Sequence, residues 1–277
     1  MQRQSRRRAA LTTLGGTGAT VAITIAQAFL LIPLCLTYLG THLYGAWLGA
    51  SELLIWLQIL DMGIPNLMTQ RIGASVGQND DGAVARWSAT GLWVLAAIGT
   101  ALAAVAMLSA PLVRVWAQVP ASEADAFTGS FRLGAIASAM VLWYHGVLGI
   151  SRGVQMTGVV NACQVAAAAS GLVVAAVLLL GGFGVWSLAF GLLARGLISL
   201  AGAGVFLITA HKAAGLRLER PSMPVLREMV ALAPSLGGAN AGYLLANNSE
   251  VLLVTTMFGP VAAAVYSLTR RAMDGVR

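Results

Sequence analysis

The sequence predicts an all-α fold, a polytopic transmembrane helix bundle of about eight spans, and three observations predict it. Of 277 residues, 58% are hydrophobic and only 10% charged, whereas an average soluble domain carries roughly 25% charge. The apolar residues also come in long blocks: no Asp, Glu, Lys or Arg occurs between Arg8 and Glu52, between Arg86 and Arg114, or between Arg152 and Arg195. Each block exceeds the roughly 20 residues that one helix needs to cross a bilayer. Finally, the basic residues alternate between loops. One set of loops holds Arg3, Arg6, Arg7, Arg8, Arg71, Arg86, Arg152, Lys212, Arg217, Arg220 and Arg227, and the other holds only Arg114. By the positive-inside rule this places the N-terminus in the cytoplasm.

Taking charges and Gly/Pro clusters as boundaries, span 1 falls near residues 11–39, span 2 near 43–69, span 3 near 88–110 and span 4 near 128–150. Spans 5 and 6 fall near 155–181 and 184–210, divided by Gly181-Gly182-Phe183-Gly184. Span 7 runs near 230–258, and span 8 begins at Gly259-Pro260. The chain divides accordingly into a six-helix lobe (1–210), a basic cytoplasmic linker (211–229) and the first two helices of a second, incomplete lobe (230–277). Within the linker, Pro221 to Glu228 is expected as a short amphipathic helix on the inner surface, with Met223, Val225 and Leu226 toward lipid. The longest outer loop, about 111–127, carries Arg114, Trp116, Glu123 and Asp125.

Ser5-Arg6-Arg7-Arg8 with a later Ala26-Gln27-Ala28 imitates a cleaved export signal. The apolar run continues past Ala28 through Phe29-Leu30-Leu31-Ile32, however, so the arginines read as a cytoplasmic anchor. Cys35 and Cys163 lie inside apolar segments and read as small buried hydrophobes, with no metal or disulfide framework. The net charge of +7 sits at helix ends and forms no basic face with interleaved aromatics, so anionic lipid headgroups, not nucleic acid, are the expected counter-charge. A repeat is also visible: Gly40-x4-Gly45-x-Trp47 between spans 1 and 2 recurs as Gly259-x4-Ala264-x-Tyr266 between spans 7 and 8.

Ionisable groups within spans are costly and mark interior or wet faces. These are Glu52 and Asp61 in span 2, Arg132 and His145 in span 4, Arg195 in span 6, Glu250 in span 7, and Arg270 with Arg271 in span 8. Helical spacing groups the polar residues into stripes. Thr13, Thr17, Thr20, Thr24 and Gln27 share a face of span 1; Tyr44, Trp47, Ser51, Gln58 and Asp61 share one of span 2; Asn240, Tyr243, Asn247 and Glu250 share one of span 7. Glu52 lies about 180° around its helix from Asp61. Such stripes serve either as packing surfaces, with hydroxyls bonded to backbone, or as walls of a shared polar cleft. His145 reads first as a hydrogen-bonded packing residue.

Tyr44-Gly45-x-Trp47, Asp61-Met62-Gly63-Ile64-Pro65, Gly149-Ile150-Ser151-Arg152-Gly153, Phe258-Gly259-Pro260 and Val265-Tyr266-Ser267, in this order and spacing, resemble the bacterial polysaccharide flippases. These are lipid-linked oligosaccharide exporters, O-antigen exporters among them, of the multidrug/oligosaccharidyl-lipid/polysaccharide superfamily. The resemblance implies two six-helix lobes around a cleft and alternating-access transport, with no enzymatic step and no cofactor. Its implied substrate is an isoprenoid pyrophosphate-linked oligosaccharide bound for cell-surface polysaccharide, with membrane lipids and polysaccharide assembly proteins as partners in the bacterial inner membrane. Arg270 and Arg195 would then meet pyrophosphate, and Gln27, Asp61, Asn240, Asn247 and Glu250 would complete the substrate site. Ending in span 8 departs from the family's roughly twelve spans, so the chain reads as an N-terminal fragment. Two alternatives stay open: a cation-coupled multidrug exporter using Asp61 or Glu250, and a membrane glycosyltransferase or polymerase, whose paired catalytic groups these short loops leave unplaced.

Overall fold

The computed structural model describes residues 6–59 and 61–274. They form seven α-helices: α1 (Arg6–Ile59), α2 (Ile64–Gly77), α3 (Asp81–Trp116), α4 (Ala124–Gly153), α5 (Gly158–Leu180), α6 (Trp186–Ala214) and α7 (Met223–Asp274). A single 3-10 turn, Ala121–Glu123, leads into α4, and there is no strand among the described residues. Among the described residues, six segments are long and apolar enough to cross a membrane: Phe29–Trp56, Asp81–Trp116, Ala121–Gly153, Gly158–Leu180, Trp186–Lys212 and Ser249–Ser267. The chain is a multi-pass, all-α membrane protein.

Two of these helices are not single rods. Gly40 in α1 has φ 76° and ψ 166°, and Gly259 in α7 has φ 83° and ψ 176°, a region that side chains with a Cβ rarely enter. A straight helix would set Gln27 and Ser51 roughly 36 Å apart and Glu250 and Tyr266 roughly 24 Å apart. Instead Gln27 and Ser51 line one cavity, and Tyr266 hydrogen-bonds Glu250. Each glycine therefore folds its helix back into a hairpin. The apolar segments Phe29–Trp56 and Ser249–Ser267 straddle these reversals, so six segments and about eight spans describe the same bundle.

The structure corrects two boundaries. Span 2 does not run unbroken through residues 43–69: α1 ends at Ile59, and α2 restarts at Ile64 and continues to Gly77. Met62 (φ 51°) and Gly63 (φ 70°) are both left-handed, Pro65 sits in the first turn of α2, and the Asp61 carboxylate accepts the Gly63 N–H at 2.8 Å. Likewise, Pro221 to Glu228 does not form a separate surface helix. From Met223 onward it is the first turns of α7, because Val225 and Met229 are buried against the bundle and pull this stretch into register with the span.

Helix α6 packs on α4 and α5, and α1 packs on α5 and α4; α3 packs on α4, and α7 packs chiefly on α1. Lipid offers apolar groups no gain on burial, so close van der Waals packing must hold such a bundle together. It does so around two clusters, one with Trp47, Phe127 and Phe131, the other with Met68, Leu95, Leu142 and Phe206. The two hairpins meet backbone to backbone: a Cβ on Gly45 would fall on the Pro260 carbonyl.

Candidate functional site

A cavity of about 430 Å³ is walled by both arms of α1 and by α4, α5 and α6. Helical spacing aims the walls. Tyr44, Trp47, Leu48 and Ser51 are steps of three, one and three on the second arm of α1, while Gln27 and Leu31 are one turn apart on the first. Ser138, Val141 and His145 do the same on α4, and Leu188, Gly191, Leu192 and Arg195 on α6. Opposite them, Gly171 and Gly191 let α5 and α6 meet backbone to backbone, since a Cβ on Gly171 would lie 3.0 Å from the Gly191 carbonyl oxygen.

The polar groups facing this space are an amide (Gln27), a phenol (Tyr44), an indole (Trp47), two hydroxyls (Ser51, Ser138), an imidazole (His145) and a guanidinium (Arg195). Among the described residues no carboxylate lines it and none pairs with Arg195. Trp47 is held edge-on by Phe127, with ring centroids 6.4 Å apart and planes at 84°. Chemically this is a positively charged, hydrogen-bonding pocket with aromatic walls.

Of the residues expected from sequence, the structure brings Gln27 and Arg195 together here, joined by Tyr44, Trp47 and Ser51 from the span 2 stripe and by His145. It sets Arg270 elsewhere: its Nε lies 3.7 Å from Glu250 Oε2, and the same carboxylate accepts a hydrogen bond from the Tyr266 hydroxyl. Asp61 is buried, 8% exposed, and turned onto its own chain at Gly63 rather than into the cavity. Arg132 donates to the Met107 carbonyl at 3.3 Å. The side chains of Asn240, Asn247, Tyr243, Gln58, Arg271, Thr13, Thr17, Thr20 and Thr24 lie outside the described residues. Sequence reasoning passed over Ser138, although it stands seven residues, two turns, before His145 on the same face of α4.

No curated protein matches the sequence. Solved structures share its fold at low identity. An inward-facing multidrug resistance MATE family transporter of the MOP superfamily aligns with TM-score 0.68 and 15% identity, covering 93% of this chain and 61% of that one. A MOP superfamily transporter from Pyrococcus furiosus, described as having a binding pocket of reverse polarity, gives TM-score 0.71 at 14% identity over 96% of this chain and 59% of its own. A MATE protein in complex with MaD3S gives 0.62 at 13%, over 96% and 65%. This chain thus spans about three fifths of the length of those proteins. By sequence, residues 93–276 match the polysaccharide biosynthesis protein family, and with most of its length inside that match the chain belongs to this family.

Proposed function

We propose that this chain forms the first lobe and the opening hairpin of a flippase that carries isoprenoid pyrophosphate-linked oligosaccharide across the bacterial cytoplasmic membrane for cell-surface polysaccharide synthesis. The observation that carries this reading is the character of the first-lobe cavity: a guanidinium and an imidazole, no carboxylate, and aromatic, amide and hydroxyl walls. An anion in a low-dielectric pocket is held by charge-assisted hydrogen bonds from arginine, and the aromatic and amide walls suit sugar rings. A cation-coupled drug exporter needs the reverse polarity, a carboxylate open to the cavity. Glu250 is instead engaged by Arg270 and Tyr266, and Asp61 by Gly63.

The sugar headgroup crosses by alternating access between lobes while the polyprenyl tail stays in lipid, and the arginine-rich loops face the cytoplasm. Polysaccharide assembly proteins are the natural partners of such a step. The test is Arg195→Gln in a full-length family member carrying the equivalent arginine. One charged hydrogen bond contributes about 1.5–3 kcal/mol, so glycolipid export is expected to fall at least tenfold at unchanged expression, with partial rescue in Arg195→Lys. Full export by Arg195→Gln would remove the basis of this reading.

A further inference from the structure

Arg132 is an arginine inside a span that neither lines the cavity nor, among the described residues, pairs with a carboxylate. It stands eight residues beyond Ala124, the first residue of α4, about 12 Å along the helix. That is within the apolar stretch Ala121–Gly153, where a charge is costly and normally faces the bundle interior. Arg132 faces the other way. It is exposed, and bulky apolar residues surround it: Ile136 one turn on, and Leu108 and Leu112 on α3, 81% and 73% exposed. Its hydrogen bond accounts for its place. Pro111 inside α3 has no N–H for the carbonyl four residues earlier, so the Met107 oxygen needs an outside donor, and the Arg132 Nε supplies it at 3.3 Å. A neutral amide would do as much. The charge is left over, because the two terminal nitrogens of the guanidinium meet no acceptor among the described residues.

Two contacts set the antiparallel register of α3 and α4: Arg132 against Met107, and Gly99 against Ala139, whose carbonyl oxygen would lie 3.3 Å from a Cβ on the glycine. Between these levels runs a shallow apolar crevice bounded by Leu102 and Ala103 on α3 and by Ala135 and Ala139 on α4. In the other direction, Asp125 is exposed seven residues before Arg132, two turns away on the same face of α4. An apolar crevice, a guanidinium and a carboxylate thus follow one another along the helix pair. We propose that this line is a docking site for a phospholipid of the phosphatidylethanolamine type, with an acyl chain in the crevice, the phosphate on Arg132 and the terminal ammonium on Asp125. The guanidinium fork matches phosphate oxygens, and a long arginine side chain leaning toward the start of its helix reaches headgroup level. Asp125 selects the headgroup: ethanolamine offers it an ammonium with N–H donors, choline offers a cation without them, and glycerol offers no cation. A partner helix is the lesser fit, because helix contacts within a membrane favour small residues and this flank presents leucine and isoleucine. The proposal uses neither the Arg195 cavity nor the pyrophosphate reading, and stands apart from both.

The test is native mass spectrometry of the full chain released from nanodiscs that hold phosphatidylethanolamine, phosphatidylglycerol and phosphatidylcholine in equal amounts. The wild type is expected to retain phosphatidylethanolamine over either competitor by about tenfold, roughly 1.4 kcal/mol. Arg132→Gln, which keeps a donor for the Met107 carbonyl, is expected to lose the retained lipid at an unchanged melting temperature. Asp125→Asn is expected to keep a bound lipid but to hold phosphatidylethanolamine and phosphatidylglycerol equally. Wild-type retention in Arg132→Gln overturns the proposal, and so does an undiminished preference for phosphatidylethanolamine in Asp125→Asn or a wild type that favours another headgroup. If Arg132→Gln melts early, Arg132→Lys carries the test: it keeps the charge without the fork and is expected to retain the same lipid several-fold more weakly, whereas wild-type retention overturns the assignment of phosphate to the guanidinium. The same spectra report oligomeric state. An oligomer that Arg132→Gln dissolves without changing lipid retention overturns the proposal in favour of a protein carboxylate facing the arginine.

Discussion

Gly45 and Gly91 both stand where a methyl group meets something, but they differ in what it meets. A Cβ on Gly45 falls on the carbonyl of Pro260, which is backbone at the start of the second arm of α7, whereas a Cβ on Gly91 falls on the Met68 thioether. A thioether side chain has three rotatable bonds and can move aside; a backbone carbonyl moves only with its helix. Gly-to-Ala exchange inside a helix is otherwise favourable by about 0.5–1 kcal/mol, and overpacking costs about 1–3 kcal/mol. Gly45→Ala is therefore expected to lower the melting temperature in detergent and Gly91→Ala to leave it within a degree or two; equal effects would mean that the hairpin contact is compliant. Sequence placed Gly45 correctly, as the second glycine of a repeated motif at a span junction, but not its purpose. The oxygen it makes room for belongs to Pro260 in α7, and no local pattern encodes a contact so distant in the chain.

Among the elements, the sequence was most legible where glycine punctuates. Gly40, Gly259 and the Gly181–Gly184 cluster marked reversals that the structure contains. It was least legible at Asp61-Met62-Gly63-Ile64-Pro65, where a hydropathy argument sees one span and the structure sees two helices. The local signal was present, since a glycine shortly before a proline is a helix-start pattern, but the apolar residues around it outweighed it. The cavity was half legible for a related reason. Tyr44, Trp47 and Ser51 follow one helical stripe, whereas the grouping of Gln27 with Arg195 depends on how α1 and α6 are set across the cavity by α4 and α5. The break itself yields a prediction. Gly63 holds φ 70°, which costs an L-residue about 1–2 kcal/mol, so Gly63→Ala is expected to destabilise by that amount. Asp61 supplies the acceptor for the Gly63 N–H. Asp61→Asn keeps an oxygen there and is expected to melt like wild type, whereas Asp61→Ala loses about 1 kcal/mol, the usual net size of one hydrogen bond. Loss of export in a stable Asp61→Asn variant would show that the charge itself is used, and would return Asp61 to the substrate or coupling machinery.

Over the whole molecule, the charges lie at the ends that the fold brings together. Arg71 in α2 pairs with Glu228 in α7, its guanidinium carbon sits 5.8 Å from the centroid of the Trp87 ring in α3, and the Ser222 N–H ahead of α7 bonds the Thr90 hydroxyl at 2.9 Å. These contacts gather the end of α2 and the starts of α3 and α7 on one side of the bundle, close to Arg86, Arg217, Arg220 and Arg227 in sequence. On the opposite side, a Cβ on Gly49 would lie 3.2 Å from the Trp116 ring and one on Gly259 would lie 3.8 Å from the Gln118 amide oxygen, so the hairpin tips meet the end of α3 near Arg114. The Arg71–Glu228 pair is itself nearly half exposed, at 45% and 41%, and pairs of that kind contribute about 0–1 kcal/mol; under the positive-inside rule the excess of arginine on that side, rather than this pair, is expected to set the orientation. The arrangement fixes where reporters belong. Arg86 lies inside α3, so the probe for the first cytoplasmic loop belongs at Asn79, with a second at Arg220 and a third at Gly182, the turn between α5 and α6. Fusions at Asn79 and Arg220 are expected to report the cytoplasm and the fusion at Gly182 the outside. Replacing Arg71, Arg217, Arg220 and Arg227 together by glutamine is expected to weaken that assignment, giving mixed signals at Asn79 and Arg220. A cytoplasmic signal at Gly182 in the unmodified chain would invert the orientation and, with it, the direction of transport expected under the proposed function.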